Sequence, residues 1–360
     1  FVSCVCYRGS VPMSALTSAI LIHGADDLRV GEVETLDPGP GEVSVRIVRG
    51  GISAADLDLY KKGPSKDPRQ KQALIPGSEI AGTVIAIGSG VNRVQPGDRV
   101  AINPSLTCGY CVHCMGGRPL HCSERRFFGS RERFPPTQGG FRQTLICTEG
   151  QAVPTGQDTP ADRAAFAASF AQALHAVRRS GTIAGQRVYV SGCGPLGLIT
   201  ILAARHAGAR EIIATDITSK PLQLALRLGA DSVINVSTET DALKALKAHQ
   251  GMADLAFETA GTATETAMAL TCTRPGGQVI HMASSGETAL PLDLVISKEL
   301  QCVGAFHFDK EFEWAVDLLA KRAVDVAPLL GAAMPFRNAR AAFDLAGDRT
   351  EATKVQLVFE

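Results

Sequence analysis

The sequence predicts a two-domain α/β protein, an antiparallel barrel-like β domain followed by a doubly wound parallel sheet, and three observations carry that prediction. The 360 residues are too many for one ordinary hydrophobic core. From Ala19 to about Leu145, short β-like runs such as Val43–Val48 and Ile80–Ile87 alternate with turns built from Pro, Gly and Asp, including Pro38–Gly41 and Pro96–Asp98. From about Ala161 the rhythm changes to strand and helix in alternation.

Taken in order, residues 1–12 precede the first strand-like pattern at Met13 and read as a leader or an appended extension. Residues 13–160 form the β domain, 161–300 the parallel sheet, and 301–360 return to pack on the first domain. Within the second domain, strands are expected at Arg187–Ser191, Glu211–Asp216, Ser232–Val236, Asp254–Glu258, Gln278–Met282 and Leu300–Gly304. Helices fill the first two gaps, ending near Ala207 and Leu228.

Composition narrows the function. Lys plus Arg number 36, as do Asp plus Glu, so no long-range field draws the chain to nucleic acid or anionic lipid. Hydrophobic residues make up 45% of the chain, yet they are interrupted everywhere, and no run approaches the ~20 apolar residues of a spanning helix. A soluble protein with a small-molecule substrate is the expectation. Of the ten cysteines, Cys108, Cys111, Cys114 and Cys122 crowd together while Cys4, Cys6, Cys147, Cys193, Cys272 and Cys302 are scattered. That distribution favours metal ligation in a reducing compartment, the cytoplasm, over a disulfide framework.

Gly192-Cys-Gly194-Pro195-Leu196-Gly197 follows an apolar strand and opens an apolar helix. In that context the first glycine makes the tight turn, the second lets backbone approach a pyrophosphate, and the third lets helix pack on strand. Asp216 ends the next strand, where a carboxylate accepts hydrogen bonds from adenosine ribose hydroxyls and repels a 2′-phosphate, so NAD(H) is expected over its phosphorylated form. The bland alternative is a glycine turn with Asp216 capping the following helix. The strand, turn, helix and acid in sequence argue against it.

The four clustered cysteines offer enough thiolates to close a tetrahedral site with no open position, the signature of one structural Zn²⁺. His113 lies in the same stretch, but four sulfurs already complete the coordination.

A β domain with a four-cysteine lobe followed by such a dinucleotide sheet resembles the zinc-type alcohol and polyol dehydrogenases of the medium-chain dehydrogenase/reductase superfamily. The resemblance runs from Met13 to Glu360 and implies a GroES-like catalytic domain plus a Rossmann domain. Gly109–Gly129, the run Gln138–Arg142, the Leu174–Val177 helix and Gly304–Phe308 are most similar to the L-idonate 5-dehydrogenase and sorbitol dehydrogenase branch. It also implies a homodimer or homotetramer paired through the sheet edge near Leu300–Phe306.

Members of that branch hold a catalytic zinc as Lewis acid. At the family's first ligand position this chain reads Gly51-Ile52-Ser53-Ala54-Ala55-Asp56, so Ser53 replaces a cysteine. The family's Gly-His-Glu appears as Gly77-Ser78-Glu79, so Ser78 replaces a histidine. A further family glutamate aligns with Ala168 or Ser169, the relay hydroxyl with Ala55, and the relay histidine with Asp58. The resemblance therefore implies that the catalytic zinc is absent. Three readings follow. The leading one is zinc-free hydride transfer to an activated C=C, C=N or carbonyl group, with Ser53 and Ser78 as oxyanion donors and Glu79 or Tyr60 as proton donor. The second is polyol or sugar-acid oxidation with a replacement metal on Asp56, Asp58 and Glu79. The third is a non-catalytic cofactor-binding protein. His175 reads as a core residue, whereas His281 and His307 lie at strand ends near the domain junction.

Overall fold

In the computed structural model, which describes residues 14–64, 72–284, 286–287 and 289–359, two sheets dominate. The expectation about residues 1–12 falls outside the described residues. The chain opens on a hairpin, Ser14–Gly24 against Asp27–Leu36. Its turn places Asp26 in the left-handed region at φ 57°, where a short polar side chain is tolerated.

The first large sheet has seven strands. Glu42–Gly51 lies at its centre, antiparallel to Glu79–Ile87, Thr144–Thr148 and Lys354–Val358, and Arg99–Ile102 and Ala152–Pro154 continue one side. Leu330–Pro335 completes the other side, parallel to Lys354–Val358. The inward faces of these strands bury Val43, Val45, Ile47, Ile80, Val84 and Val100 in one core.

The second sheet has six parallel strands in the order Ser232–Asn235, Glu211–Asp216, Arg187–Ser191, Ala253–Glu258, Thr273–His281, Gln301–Gly304. Numbered along the chain this is 3-2-1-4-5-6, the doubly wound order whose crevice at the reversal receives a dinucleotide. Apolar runs such as Val188, Tyr189 and Val190 are buried on both faces, as a parallel sheet covered by helices requires.

The expected division at residue 300 moves. Gln301–Gly304 is the sixth strand of the parallel sheet, and the helix Glu311–Ala320 packs in that domain's core beside Ala167–Ser180. The return to the first sheet begins at Leu330. Gln301–Gly304, within the strand expected at Leu300–Gly304, is an edge strand with mostly exposed side chains. Among the described residues, no helix is long and apolar enough to cross a membrane.

Candidate active site

The glycine turn has the form the sequence expects. Gly192 sits at φ 92° after the strand Arg187–Ser191, Gly194 caps the helix Pro195–His206, and Pro195 occupies the first helical turn. A Cβ on Gly197 would stand 1.9 Å from the Gly192 carbonyl oxygen, so helix and turn approach only because that side chain is absent. A Cβ on Gly194 would meet nothing closer than Arg349 Nη2 at 3.9 Å, leaving the helix amino terminus open to a ligand. Leu196 follows within the helix's first turn.

Asp216 ends the adjacent strand and is 6% exposed. Its Oδ2 accepts from the Cys193 N–H at 2.8 Å, tying the carboxylate to the glycine turn, and its Oδ1 accepts from the Thr218 N–H at 2.9 Å. Arg349 Nη2 lies 2.5 Å from Oδ2. The open Gly194 cradle and the adjacent carboxylate fit a dinucleotide. These residues would hold an NAD(P) cofactor.

The four cysteines converge. Their sulfurs all lie within 4.8 Å of one another, with Cys108 Sγ 3.5 Å from Cys122 Sγ and 4.0 Å from Cys114 Sγ. Zinc–sulfur bonds of about 2.3 Å in a tetrahedron place sulfurs roughly 3.8 Å apart, so the set fits one Zn²⁺. Backbone N–H groups of Cys108, Cys111, Cys114 and Glu124 point at these sulfurs at 3.3–3.5 Å, which stabilises thiolate charge. His113 is outside the cluster.

The positions at which the family resemblance expects metal donors are arranged differently. Ser53 is the N-cap of the helix Ala54–Lys62 in a reciprocal capping box. Its hydroxyl donates to Asp56 Oδ2 at 2.6 Å and accepts from the Asp56 N–H at 3.2 Å, while its own N–H donates to Oδ2 at 2.8 Å. Asp56 Oδ1 accepts from the Gly77 N–H at 2.8 Å, fixing the helix to the Gly77-Ser78-Glu79 segment. Burial pushes the Asp56 carboxyl above the ordinary carboxylate range, against the pull of those hydrogen bonds. The expected role of Ser53 as an oxyanion donor is thereby corrected, because its one proton is committed to Asp56.

Glu79 is likewise withdrawn. Its Oε2 lies 2.6 Å from Lys354 Nζ, with side-chain exposures of 8% and 4%. A Cβ at Gly51 would stand 2.6 Å from that oxygen and 3.2 Å from Lys354 Cε, so glycine there makes room for the pair. Burial raises the Glu79 pKa and Lys354 opposes the rise. As the counter-ion of a buried lysine on another strand, Glu79 is not the free proton donor the sequence suggests. Tyr60 is corrected too: it is 2% exposed, packs edge-on against Phe343 with ring centroids 5.5 Å apart, and its hydroxyl lies 3.4 Å from Asp344. The carboxylates proposed for a replacement metal are dispersed into separate partnerships, Asp58 with Arg131 at 2.7 Å and Lys62 at 2.5 Å. Among the described residues, the four sulfurs are the one group of three or more possible metal donors that converges.

What remains open is a cleft of about 190 Å³ lined by Ser78, Asp58, Phe127, Phe128, Arg131 and His307. Ser78 is half-buried there and makes no hydrogen bond to another described residue. His307 follows the sixth parallel strand at φ 47°, a left-handed conformation that costs a non-glycine residue energy and turns up at functional sites. Its ring lies against Phe127 and Phe306 at 4.5 and 4.2 Å. Burial, with Arg125 and His175 nearby, pushes its pKa down to about 4, so the imidazole is neutral at pH 7. The sequence puts His307 at a strand end near the domain junction, from which it could line the pocket. The aromatic run Phe306-His307-Phe308 was the available signal. His281 ends the fifth strand with its buried Nε2 unpartnered among the described residues, while His175 is a core residue donating into Glu311 at 3.2 Å.

Comparison with known proteins agrees with this architecture. The family models for the alcohol dehydrogenase GroES-like domain and for the zinc-binding dehydrogenase match residues 39–157 and 195–321. The chain is 35% identical over 348 residues to L-idonate 5-dehydrogenase (NAD(P)(+)) of Escherichia coli (strain K12), covering 96% of this chain and 100% of that one. It is 30% identical over 343 residues to sorbitol dehydrogenase of Gallus gallus, covering 94% and 95%. The crystal structure of the Escherichia coli L-idonate 5-dehydrogenase superposes with a TM-score of 0.91 over 97% of this chain and 100% of that one. The chain belongs to the zinc-type alcohol and polyol dehydrogenase branch of the medium-chain dehydrogenase/reductase family, whose members are NAD(P)-dependent oxidoreductases.

Proposed function

We propose that this chain is an NAD(H)-linked reductase that transfers hydride to a small substrate carrying an activated carbonyl, C=N or C=C group, without a catalytic zinc. The observation that carries the reading is the fate of the polar groups at the ligand positions. Ser53 caps a helix, Glu79 neutralises Lys354, and the Ser78 hydroxyl alone faces the cleft.

Bound in the glycine turn, NADH supplies the hydride. The chain's own residues orient the substrate and meet charge developing on its heteroatom. Ser78 Oγ donates a hydrogen bond there, the neutral imidazole of His307 offers a second polar contact, and Phe127 and Phe128 exclude water. A bound NADH would give its hydride to carbon and become NAD⁺, and a proton from water would complete the heteroatom or the adjacent carbon. One Zn²⁺, held by Cys108, Cys111, Cys114 and Cys122, serves structure alone. The exposed edge Gln301–Gly304 suits pairing with a second copy, giving a dimer or tetramer.

A second reading, oxidation of a polyol or sugar acid, is favoured by the extent of similarity to L-idonate 5-dehydrogenase. The two separate on one experiment: metal content of tag-free protein measured alongside NADH oxidation on a panel of enones, iminiums and reactive ketones. About one zinc per chain with turnover on the panel supports the proposal. About two zincs, with NAD⁺ reduction by a polyol that a chelator abolishes, overturns it in favour of the second reading.

A further inference from the structure

Between the cysteine lobe and the parallel sheet lies another cavity, of about 330 Å³, a size suited to a small molecule. Its charged lining is Arg118 from the lobe, Arg178 and Arg179 from the helix Ala167–Ser180, and Asp309 and Lys310 from the segment after the sixth parallel strand. Four cations thus border it with one carboxylate, in a chain whose basic and acidic residues are equal in number. Two of the four have partners within the fold. Arg178 pairs with the fully buried Glu311, and Arg179 Nε donates to the Gly304 carbonyl at 3.2 Å. Both also lie in the last turn of their helix, where a cation offsets the negative end of the dipole. Arg118 and Lys310 differ, since neither side chain makes a hydrogen bond or ion pair to a described residue. Lys310 moreover stands immediately before the helix Glu311–Ala320, at the positive end of its dipole, where a cation is unfavourable unless an anion answers it. On the same wall His175 is 4% exposed, with its Nδ1 3.2 Å from Glu311 Oε1 and its Nε2 without a hydrogen-bond partner among the described residues.

We infer that this cavity binds a small phosphate-bearing anion through Arg118, Arg179 and Lys310. A phosphate takes parallel N–H bonds from a guanidinium and a point charge from an ammonium, and the cavity offers both kinds of donor. At the buried side, His175 Nε2 accepts from a protonated phosphate oxygen or from a hydroxyl of the ligand. Leu120 and Phe306 give apolar surface to the carbon part of a phosphate monoester. The anion answers the cation at the helix Glu311–Ala320 and partners the imidazole, the two groups that the fold leaves unmatched. This cavity has no lining residue in common with the substrate cleft, and the consecutive residues Phe306 and His307 line one each. Its ligand is therefore a second small molecule rather than the substrate, and the inference does not depend on which reaction the cleft performs.

The test is isothermal titration of the full chain with inorganic phosphate and with glycerol phosphate, against sodium chloride at equal ionic strength. About one phosphate group per chain should bind, with a Kd of about 1 mM or below. Combining Arg118→Gln with Lys310→Gln should weaken binding by about tenfold or more, the range of a lost charge-assisted hydrogen bond. Since neither side chain has a described partner, Tm of that double variant without phosphate should stay within about 2 °C of the unchanged protein. Lys310→Arg, which keeps the charge, should bind within about threefold of the unchanged protein. Tighter binding of glycerol phosphate identifies the ligand as an organic phosphate, and tighter binding of inorganic phosphate identifies it as the free anion; either sustains the inference. No heat beyond the chloride control from both probes would overturn it. So would equal phosphate affinity in the double variant and the unchanged protein, and displacement of that phosphate by NADH would then place it on the glycine turn instead.

Discussion

The glycine turn and the segments at which the family resemblance expects metal donors differ in what they leave open to a ligand. Around the turn, Gly194 leaves space at the helix terminus, while Asp216 accepts from the Cys193 and Thr218 N–H groups and pairs with Arg349. At the expected donor positions the serine, aspartate and glutamate pair with partners of the chain's own: Ser53 with Asp56, Asp58 with Arg131, Glu79 with Lys354. The difference teaches that a buried charge or hydroxyl is kept in a fold where it has a partner, whereas a ligand site is marked by the space left beside it.

The largest effect we expect is at the four-cysteine lobe, where sulfur ligation rather than apolar burial holds the chain: Tyr110, Val112 and Met115 are each at least 75% exposed. Cys111→Ser should reduce zinc from about one per chain to near none and lower Tm by roughly 10 °C or more, because metal binding there is folding energy. Elemental analysis and a thermal melt check both. An unchanged melting temperature would separate the lobe from stability.

Next comes the buried pair. Lys354→Met leaves Glu79 ionised and unpartnered in a site less than one-tenth exposed, and should cost about 3–5 kcal/mol in urea unfolding. Adding Glu79→Gln should restore most of that loss, since both charges are then gone. If the double variant stays as unstable as the single, Glu79 has a role beyond pairing with Lys354, and the contrast between the two regions blurs.

Much of this was legible in sequence, and the failures have a common cause. The alternation of strand and helix, the glycine turn and the cysteine spacing are local patterns set by backbone geometry and ligand count, so Gly192, Gly197 and Cys108–Cys122 could be read without a structure. Tyr60, Ser53 and Glu79 were misread because their partners, Phe343, Asp56 and Lys354, decide what they do, and two of the three lie hundreds of residues away. Ser53 is the instructive exception. Asp56 three residues on completes a capping box visible in the sequence, and it was passed over in favour of the absent thiolate. The sixth strand is legible in the sequence; what the sequence does not show is that the helix Glu311–Ala320 after it packs in the same domain's core, which moves the boundary from residue 300 toward Leu330.

The two serines sharpen the comparison further. Ser53→Ala removes a cap and should cost about 1–2 kcal/mol of stability with kcat changed less than about threefold. Ser78→Ala removes a donor facing the cleft and should lower kcat by about tenfold or more, with stability within about 0.5 kcal/mol. Urea titration and steady-state kinetics on both variants decide the matter. Exchanged outcomes would return Ser53 to the chemistry and reduce Ser78 to filler.

The smallest effect concerns His307, whose folded pKa of about 4 lies below the ordinary histidine value. The unfolded chain gains a proton as pH falls through about 6.5, while the folded chain refuses it until about pH 4, so stability declines as pH falls across that window. Above about pH 6.5 the contribution is complete. Since the ring is partly exposed, roughly 1 kcal/mol of the decline between pH 6.5 and 5 should belong to this residue. His307→Asn should flatten the slope by that amount, and the imidazole proton resonances of the unchanged protein should keep their neutral shifts down to about pH 5. A titration near pH 6.5 would show a solvated ring, and His307 would then not be packed against Phe127 and Phe306 as a wall of the cleft.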